Sequence, residues 1–211
     1  MLWGLLIVRD CYIMRRLYIH REVEGGIDLV LYVIRHGETD FNVQGRYAGS
    51  TDVPLNDNGF IQAKELAVKL RDIQFDIIIS SPLLRARQTA EVVQKYFQKP
   101  LLIIDQFAER NVGVYEGLTR EEAKSQYPDL WSRECTRQPD DAPTGGETIR
   151  QFDMRITSAL EQLNEKYPND KILLVCHAFV SRLINKHYKK LTYDNMHNFT
   201  LSNCEIVSYT E

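Results

Sequence analysis

A short apolar run that ends in Arg-His-Gly constrains this chain more than any other feature. Residues 29–34 have the length and composition of a buried strand, and Arg35, His36 and Gly37 follow them directly. Open α/β sheets bind ligands in crevices at the carboxyl ends of their strands. A guanidinium and an imidazole side by side at such a strand end predict that the protein binds an anion and reacts with it. We expect that anion to be a phosphate group.

Short apolar runs alternate with helical periods through the rest of the chain. Strands are predicted at residues 77–79, 101–104 and 171–175. Helices are predicted from Asn56 to about Arg71, after Ser81-Pro82 as N-cap and first helical residue, and over residues 149–167, with a weaker helical signal at 121–127. This alternation predicts a three-layer α/β/α sandwich with a mostly parallel central sheet.

A second histidine closes the last predicted strand as His36 closes the first. Cys176 and His177 follow residues 171–175, so both histidines are expected at strand carboxyl ends and in one crevice. Neighbouring residues of a strand point to opposite faces, which places Cys176 in the core rather than beside His177 as a nucleophile.

Composition narrows the class of protein. The 211 residues, 44% of them hydrophobic, suit one domain, and a net charge of −3 gives no general attraction for nucleic acid or an anionic membrane. The four cysteines form no CxxC pair, so we expect reduced thiols and a cytoplasmic location, with neither a disulfide framework nor a zinc site.

Residues 1–27 differ from the remainder, which we assign to one catalytic domain at 28–211. The apolar run at residues 2–8 is far shorter than the ~20 residues of a membrane span and has no signal-peptide pattern around it. We expect a loosely attached extension, with Met14 as an alternative start. An added edge strand at residues 18–23 is the other interpretation.

Five segments in order carry a resemblance to a known family. They are RHGETDFN from Arg35, SSPLLRARQTA from Ser80, ERNVGVYEG from Glu109, GGET from Gly145 and VCHAFVSR from Val175. Together they resemble the histidine phosphatase superfamily, which includes the phosphoglycerate mutases, over residues 29–211. The segments ERNVGVYEG and GGET, with a compact stretch between them, look more like the phosphatase branch.

This resemblance implies a nucleophile and a phosphate clamp. A phosphomonoester dianion repels charged nucleophiles, whereas imidazole is uncharged near neutral pH, so His36 is expected to form a phosphohistidine. Arg35 and Arg85 would hold the phosphoryl oxygens in bidentate geometry, and His177 would complete the pocket.

Other positions are assigned less directly. Glu109 leads the family's acid-bearing segment and is expected to act as acid and then base, whereas Glu116, Glu121 and Glu122 are interpreted mostly as surface charges. Asn42, Arg46 and Gly49 are expected to contact substrate, or else only to turn their loop. Ala178 and Phe179 replace a pair of glycines common in relatives and are expected to shape the substrate pocket. His20, His187 and His197 receive no role.

The expected activity is metal-independent and cofactor-free hydrolysis of a small phosphorylated metabolite. Sugar phosphates, phosphoglycerates and α-ribazole 5′-phosphate are candidate substrates. A cofactor-dependent phosphoglycerate mutase is the alternative, and a non-catalytic module that binds a phosphorylated ligand is a further one. No HExxH or similar ligand spacing predicts a metal, and the oligomeric state is not readable.

Overall fold

A five-stranded sheet organises residues 29–210, the part of the chain that the computed structural model describes. The strands are β1 (Val30–Arg35), β2 (Ile77–Ser80), β3 (Leu101–Ile103), β4 (Lys171–Cys176) and β5 (Ile206–Thr210). Their order is β3-β2-β4-β1-β5, and every neighbouring pair is parallel except β1 with β5. The mostly parallel sheet is confirmed, and the four predicted strands differ from the observed ones by one residue at most at each end.

The described residues form eight α-helices. They are α1 (Asp40–Val43), α2 (Asp57–Lys69), α3 (Leu84–Phe97), α4 (Arg120–Gln126), α5 (Pro128–Ser132), α6 (Ile149–Lys166), α7 (Ala178–Lys189) and α8 (Tyr193–Met196). The side chain of Asn56 caps α2 as predicted, by accepting from the N–H of Gly59. Helices α1, α5, α7 and α8 were not predicted.

The predicted start of α3 is wrong. Ser81 and Pro82 precede the helix, whose N-cap residue is Leu83 and whose first residue is Leu84. The hydroxyl of Ser81 bonds a ring nitrogen of His177, and the Asp52 carboxylate accepts the hydrogen bond of the Leu84 N–H. The cap therefore comes from a distant loop, which local sequence does not reveal.

Alternating strand residues divide the core between the two faces of the sheet. Leu31 and Leu174 pack with α6 and α7, whereas Ile34 and Val175 pack with α2 and α3. This confirms the three-layer α/β/α arrangement. Cys176 is fully buried in the first cluster, as predicted, and burial raises the pKa of its thiol.

A third, smaller cluster supports the long connection between β3 and α6. Tyr115, Ala123 and Cys135 are buried there, with Leu130 and Trp131 against them. This connection supplies one wall of the cavity described below, in keeping with the functional role expected of a long loop.

The expectations for residues 1–27, including the edge strand at 18–23, lie outside the described residues. Within residues 29–210, no helix is both long and apolar enough to cross a lipid bilayer.

Candidate active site

Strand register places the two histidines side by side. Arg35 of β1 is paired with Cys176 of β4, and the N–H of His36 donates to the Cys176 carbonyl at 3.0 Å. The rings of His36 and His177 consequently lie 5.2 Å apart between centroids. The N–H of Ser81 donates to the Val175 carbonyl at 3.0 Å, which brings the end of β2 to the same place.

His36 is held as a neutral, oriented imidazole. Its Nδ1 lies 2.7 Å from the carbonyl oxygen of Gly37, which can only accept, so Nδ1 carries the hydrogen and Nε2 keeps a free lone pair. Burial, followed by the charges of Arg85 and Arg35, holds the pKa of His36 well below its ordinary value. The acceptor that orients His36 is thus the backbone carbonyl of the next residue in the chain.

Close backbone packing fixes the loop that carries this acceptor. The N–H of Gly37 donates to Thr89 Oγ1 at 3.0 Å, which ties the loop to α3. A Cβ on Gly37 would lie 2.6 Å from the carbonyl oxygen of Gly59 in α2. Only glycine fits this crossing of loop and helix without movement of the backbone.

His177 is fully buried beside His36. Its Nε2 is hydrogen-bonded to Ser81 Oγ at 2.6 Å, and its Nδ1 is a buried atom with no partner among the described residues. Burial and the nearby charges of Arg85, His36 and Arg35 hold the pKa of His177 well below its ordinary value.

Arg35 and Arg85 supply buried positive charge to this cluster. The Arg85 guanidinium donates to the carbonyls of Thr51 and Gly49, each at 2.8 Å, and that of Arg35 donates to the Leu201 carbonyl at 2.9 Å. The Nε atoms of both arginines are buried without a partner in the described chain. Burial lowers the pKa of both groups. Unpartnered donors with two buried charges are suited to an anion.

The carboxylate of Glu109 is held by two backbone amides. Its Oε1 accepts from the N–H of Arg110 at 2.9 Å, and its Oε2 accepts from the N–H of Phe179, in the first turn of α7, at 3.1 Å. Each oxygen retains a second lone pair, so this carboxyl group can still take up or release a proton.

These groups line one cavity of about 330 Å³. Eight of the nine predicted site residues line its wall, namely Arg35, His36, Asn42, Arg46, Gly49, Arg85, Glu109 and Ala178. The ninth, His177, is buried beneath this wall. Among the described residues on this wall, Glu109 is the one carboxylate and seven side chains are arginines. A polyanion is the ligand that such a wall favours.

The four residues predicted to contact substrate also have positions or contacts within the fold itself. Arg46 is ion-paired with Glu122 at 2.7 Å and donates to the Gly117 carbonyl at 2.6 Å. Asn42 closes the capping box of α1 with its side-chain oxygen, and Gly49 binds Arg85 through its carbonyl. Ala178 is the first residue of α7. Contact of these four residues with substrate stays a prediction.

Phe179, which the sequence predicts to shape the substrate pocket, lines the cavity. Its ring stacks on Phe152 and lies under the guanidinium groups of Arg110 and Arg182. Sequence reasoning missed other residues of the wall. His197 also lines the cavity, and nothing in its sequence context indicated this. Arg182 could have been found, because it ends the segment VCHAFVSR.

Two further arginines on the wall stand apart from the rest. Arg120 and Arg137 are exposed and take part in no ion pair within residues 29–210. Both also line an adjoining cavity of about 230 Å³ that contains Tyr47 and Trp131. In the described chain, no three histidine, cysteine, aspartate or glutamate side chains are grouped as metal ligands would be.

Comparison with known proteins agrees with this geometry. The sequence profile of the histidine phosphatase superfamily, branch 1, matches residues 31–210. The chain belongs to this family. It is 39% identical over 146 residues to the Bacillus subtilis (strain 168) protein named uncharacterized phosphatase PhoE, covering 69% of this chain and 70% of that one.

Two alpha-ribazole phosphatases are also similar. The adenosylcobalamin/alpha-ribazole phosphatase of Escherichia coli (strain K12) is 32% identical over 154 residues, covering 73% of this chain and 76% of the relative. The crystal structure of the alpha-ribazole phosphatase from Shigella flexneri superposes with a TM-score of 0.79 at 30% identity, covering 85% and 89% of the two chains. The histidine phosphatase assignment and its mixed α/β fold are therefore confirmed.

Proposed function

We propose that this protein is a phosphomonoesterase that hydrolyses small phosphorylated metabolites through a phosphohistidine on His36. One observation carries the proposal: a neutral, oriented imidazole lies in a buried cluster with two guanidinium groups whose Nε–H donors have no partner among residues 29–210. A nucleophile and a cradle for the phosphoryl oxygens are then present together.

In the first step, Nε2 of His36 attacks phosphorus and the bond from phosphorus to the leaving oxygen breaks. The carboxyl group of Glu109 donates a proton to that oxygen, so an alcohol departs rather than an alkoxide. Arg35, Arg85 and His177 hold the non-bridging oxygens as charge moves onto them.

In the second step, the Glu109 carboxylate takes a proton from a water molecule, whose oxygen attacks phosphorus. The phosphorus–nitrogen bond breaks and its electron pair returns to Nε2 of His36. Inorganic phosphate then leaves, and Glu109 holds the proton needed for the next turnover. These two steps require no metal ion or cofactor.

The names of the relatives support hydrolysis, since those compared above are called phosphatases. They also include a metal-independent phosphoserine phosphatase of Arabidopsis thaliana, 34% identical over 157 residues. A phosphoglycerate mutase is the second candidate. Arg120 and Arg137 favour it, because two cations that form no ion pair within residues 29–210 lie on the cavity wall and would retain an anionic product for return of the phosphoryl group.

Phosphate release from a panel of esters tests the proposal. The full chain and His36→Ala are assayed with chelator present on 3-phosphoglycerate, phosphoserine, α-ribazole 5′-phosphate and p-nitrophenyl phosphate. We expect release by the wild type and a loss of at least about a thousandfold in the variant. A rapid quench should also trap an acid-labile phosphoryl group on the wild type alone.

Three outcomes would contradict the proposal. Equal release by wild type and His36→Ala would remove His36 as nucleophile. Absence of release, with conversion of 3-phosphoglycerate to 2-phosphoglycerate in the presence of 2,3-bisphosphoglycerate, would establish the mutase instead. Absence of both reactions, with orthophosphate still bound, would leave a non-catalytic binding module.

A further inference from the structure

One carboxylate, that of Glu116, gathers four hydrogen bonds from two separate loops. Its Oε1 accepts from the N–H and the hydroxyl of Ser50, each at 2.8 Å, and from the N–H of Val112 at 3.3 Å. Its Oε2 accepts from the hydroxyl of Thr51 at 2.5 Å. Ser50 and Thr51 lie in the loop before α2, whereas Val112 lies in the segment that begins with Glu109.

The loop that Glu116 binds is also the loop that holds Arg85. The carbonyl of Thr51 accepts a hydrogen bond from Nη1 of Arg85, and the carbonyl of Gly49 accepts one from Nη2. Ser50 and Thr51 therefore bind Glu116, while the carbonyls of Gly49 and Thr51 bind Arg85. The position of the guanidinium follows the position of the loop.

The approach of Glu116 to this loop is built into the fold. The N–H of Tyr47 donates to the Leu118 carbonyl at 2.9 Å, and the N–H of Gly117 donates to the Tyr47 carbonyl at 2.8 Å. This short antiparallel pairing brings Glu116 against Gly49, which has a φ of +50°. A Cβ at Gly49 would overlap the Glu116 carboxylate. The side chain interpreted from sequence as a surface charge is half-buried in this contact.

We propose that Glu116 is a positioning residue that sets the place of the Arg85 guanidinium, through Ser50 and Thr51, and thereby the affinity of the site for a phosphate dianion. This inference rests on the proposed function for its assignment of Arg85 to the phosphoryl group. The negative charge of Glu116 adds to the effect, since it favours the charged form of the buried arginine.

Binding of inorganic phosphate to the full chain, measured by calorimetry, tests the inference without turnover. Glu116→Gln keeps the shape of the side chain but removes its charge and replaces one acceptor by a donor. We expect it to weaken phosphate binding by about 10- to 100-fold. Thr51→Val removes the bond to Oε2 while keeping the carbonyl that binds Arg85, and should weaken binding by about three- to tenfold.

The double variant separates positioning from a general effect on the fold. If both changes act through one contact, the double variant should bind phosphate no more weakly than Glu116→Gln alone. Glu121→Gln, an exposed glutamate of the same connection, is the matched control and should bind as the wild type does. In steady-state assays, Glu116→Gln should raise KM and lower kcat together.

Several results would overturn the inference. Phosphate affinity within twofold of the wild type in Glu116→Gln, with only the melting temperature lowered, would leave a purely structural role. Should Glu116→Gln fail to fold, wild-type affinity in Thr51→Val would refute the inference by itself. A wild type that binds phosphate but releases none from esters would refute the proposed hydrolysis alone, whereas a wild type that binds no phosphate would refute both.

Discussion

The rings of His36 and His177 lie 5.2 Å apart because the strands that carry them are hydrogen-bonded neighbours in register. Both imidazoles are buried close to the charges of Arg35 and Arg85. Burial and these charges lower the pKa of each ring, so both stay neutral where an exposed histidine would take up a proton. The pairing of β1 with β4 thus sets the distance between the two rings, and the burial that results sets their protonation.

Stability should fall as the pH drops below about 6.5, the ordinary pKa of a histidine in the unfolded chain. The unfolded chain then binds protons at residues 36 and 177, whereas the folded protein, with both pKa values lowered, does not. Above that pH this contribution is fully present. Each histidine adds a slope of up to about 1.4 kcal/mol per pH unit, measurable by urea unfolding at a series of pH values.

His177→Asn isolates one of these two contributions. The difference in unfolding free energy between this variant and the wild type removes the titration of groups that the substitution leaves unchanged, so it mainly reports residue 177. We expect the slope of unfolding free energy against pH to decrease by up to about 1.4 kcal/mol per pH unit below pH 6.5. Parallel curves for the two proteins would contradict the neutral, buried state of His177.

Ser81→Ala should destabilise the fold and slow the reaction. It removes the hydroxyl that lies 2.6 Å from His177 Nε2 and leaves a fully buried ring nitrogen without its partner. We expect a loss of about 1–3 kcal/mol in the free energy of unfolding and a lower kcat. Ser132→Ala, which removes an exposed hydroxyl that donates to the nearby Asp129 carbonyl, is the control. Equal stability of the two variants would count against the assigned contact.

Glu109→Gln should slow hydrolysis by an amount that depends on the leaving group. An alkyl ester needs a proton on its departing oxygen, so we expect a loss of about 10²–10⁴-fold in kcat/KM. The p-nitrophenolate ion leaves without a proton, so its ester should lose much less in the first step. Similar losses for the two esters in single-turnover assays would argue against Glu109 as the acid.

Arg137→Ala should lower kcat/KM selectively for substrates that carry a second anionic group. Arg120 and Arg137 line the outer cavity without an ion pair in the described chain, so they are available to such a group. We expect kcat/KM to fall about tenfold for 3-phosphoglycerate and to change little for p-nitrophenyl phosphate. The difference should shrink at high ionic strength because both side chains are exposed. Arg133→Ala, an exposed arginine off the cavity, is the control.

The elements that could be predicted are those with a local signal. β1 and β4 are apolar runs of strand length, and α6 follows a regular apolar spacing from Ile149. The start of α3 could not be predicted, since its first amide is satisfied by Asp52 and the hydroxyl of Ser81 is taken by His177. Both contacts cross large distances in the chain.

The residues of the site likewise fall into those with a local sequence signal and those placed by distant contacts. The segments that resemble the family contain all the predicted catalytic residues, and the structure brings them to one cavity and its floor. Glu116 and His197 could not be placed from the sequence, because neither charge nor spacing distinguishes a surface side chain from one that another loop covers. Their neighbours lie far away in sequence: Ser50 for Glu116, and Phe179 for His197.

The sequence by itself determined the chemical groups of this protein and the layered α/β fold, because both are written in short segments with regular spacing. Tertiary structure decided which nitrogen of His36 is free, how Arg85 is held, and which acidic side chain is a support rather than a surface charge. Each of these depends on hydrogen bonds between loops that only the folded sheet brings together, and burial then sets the protonation of the groups it encloses.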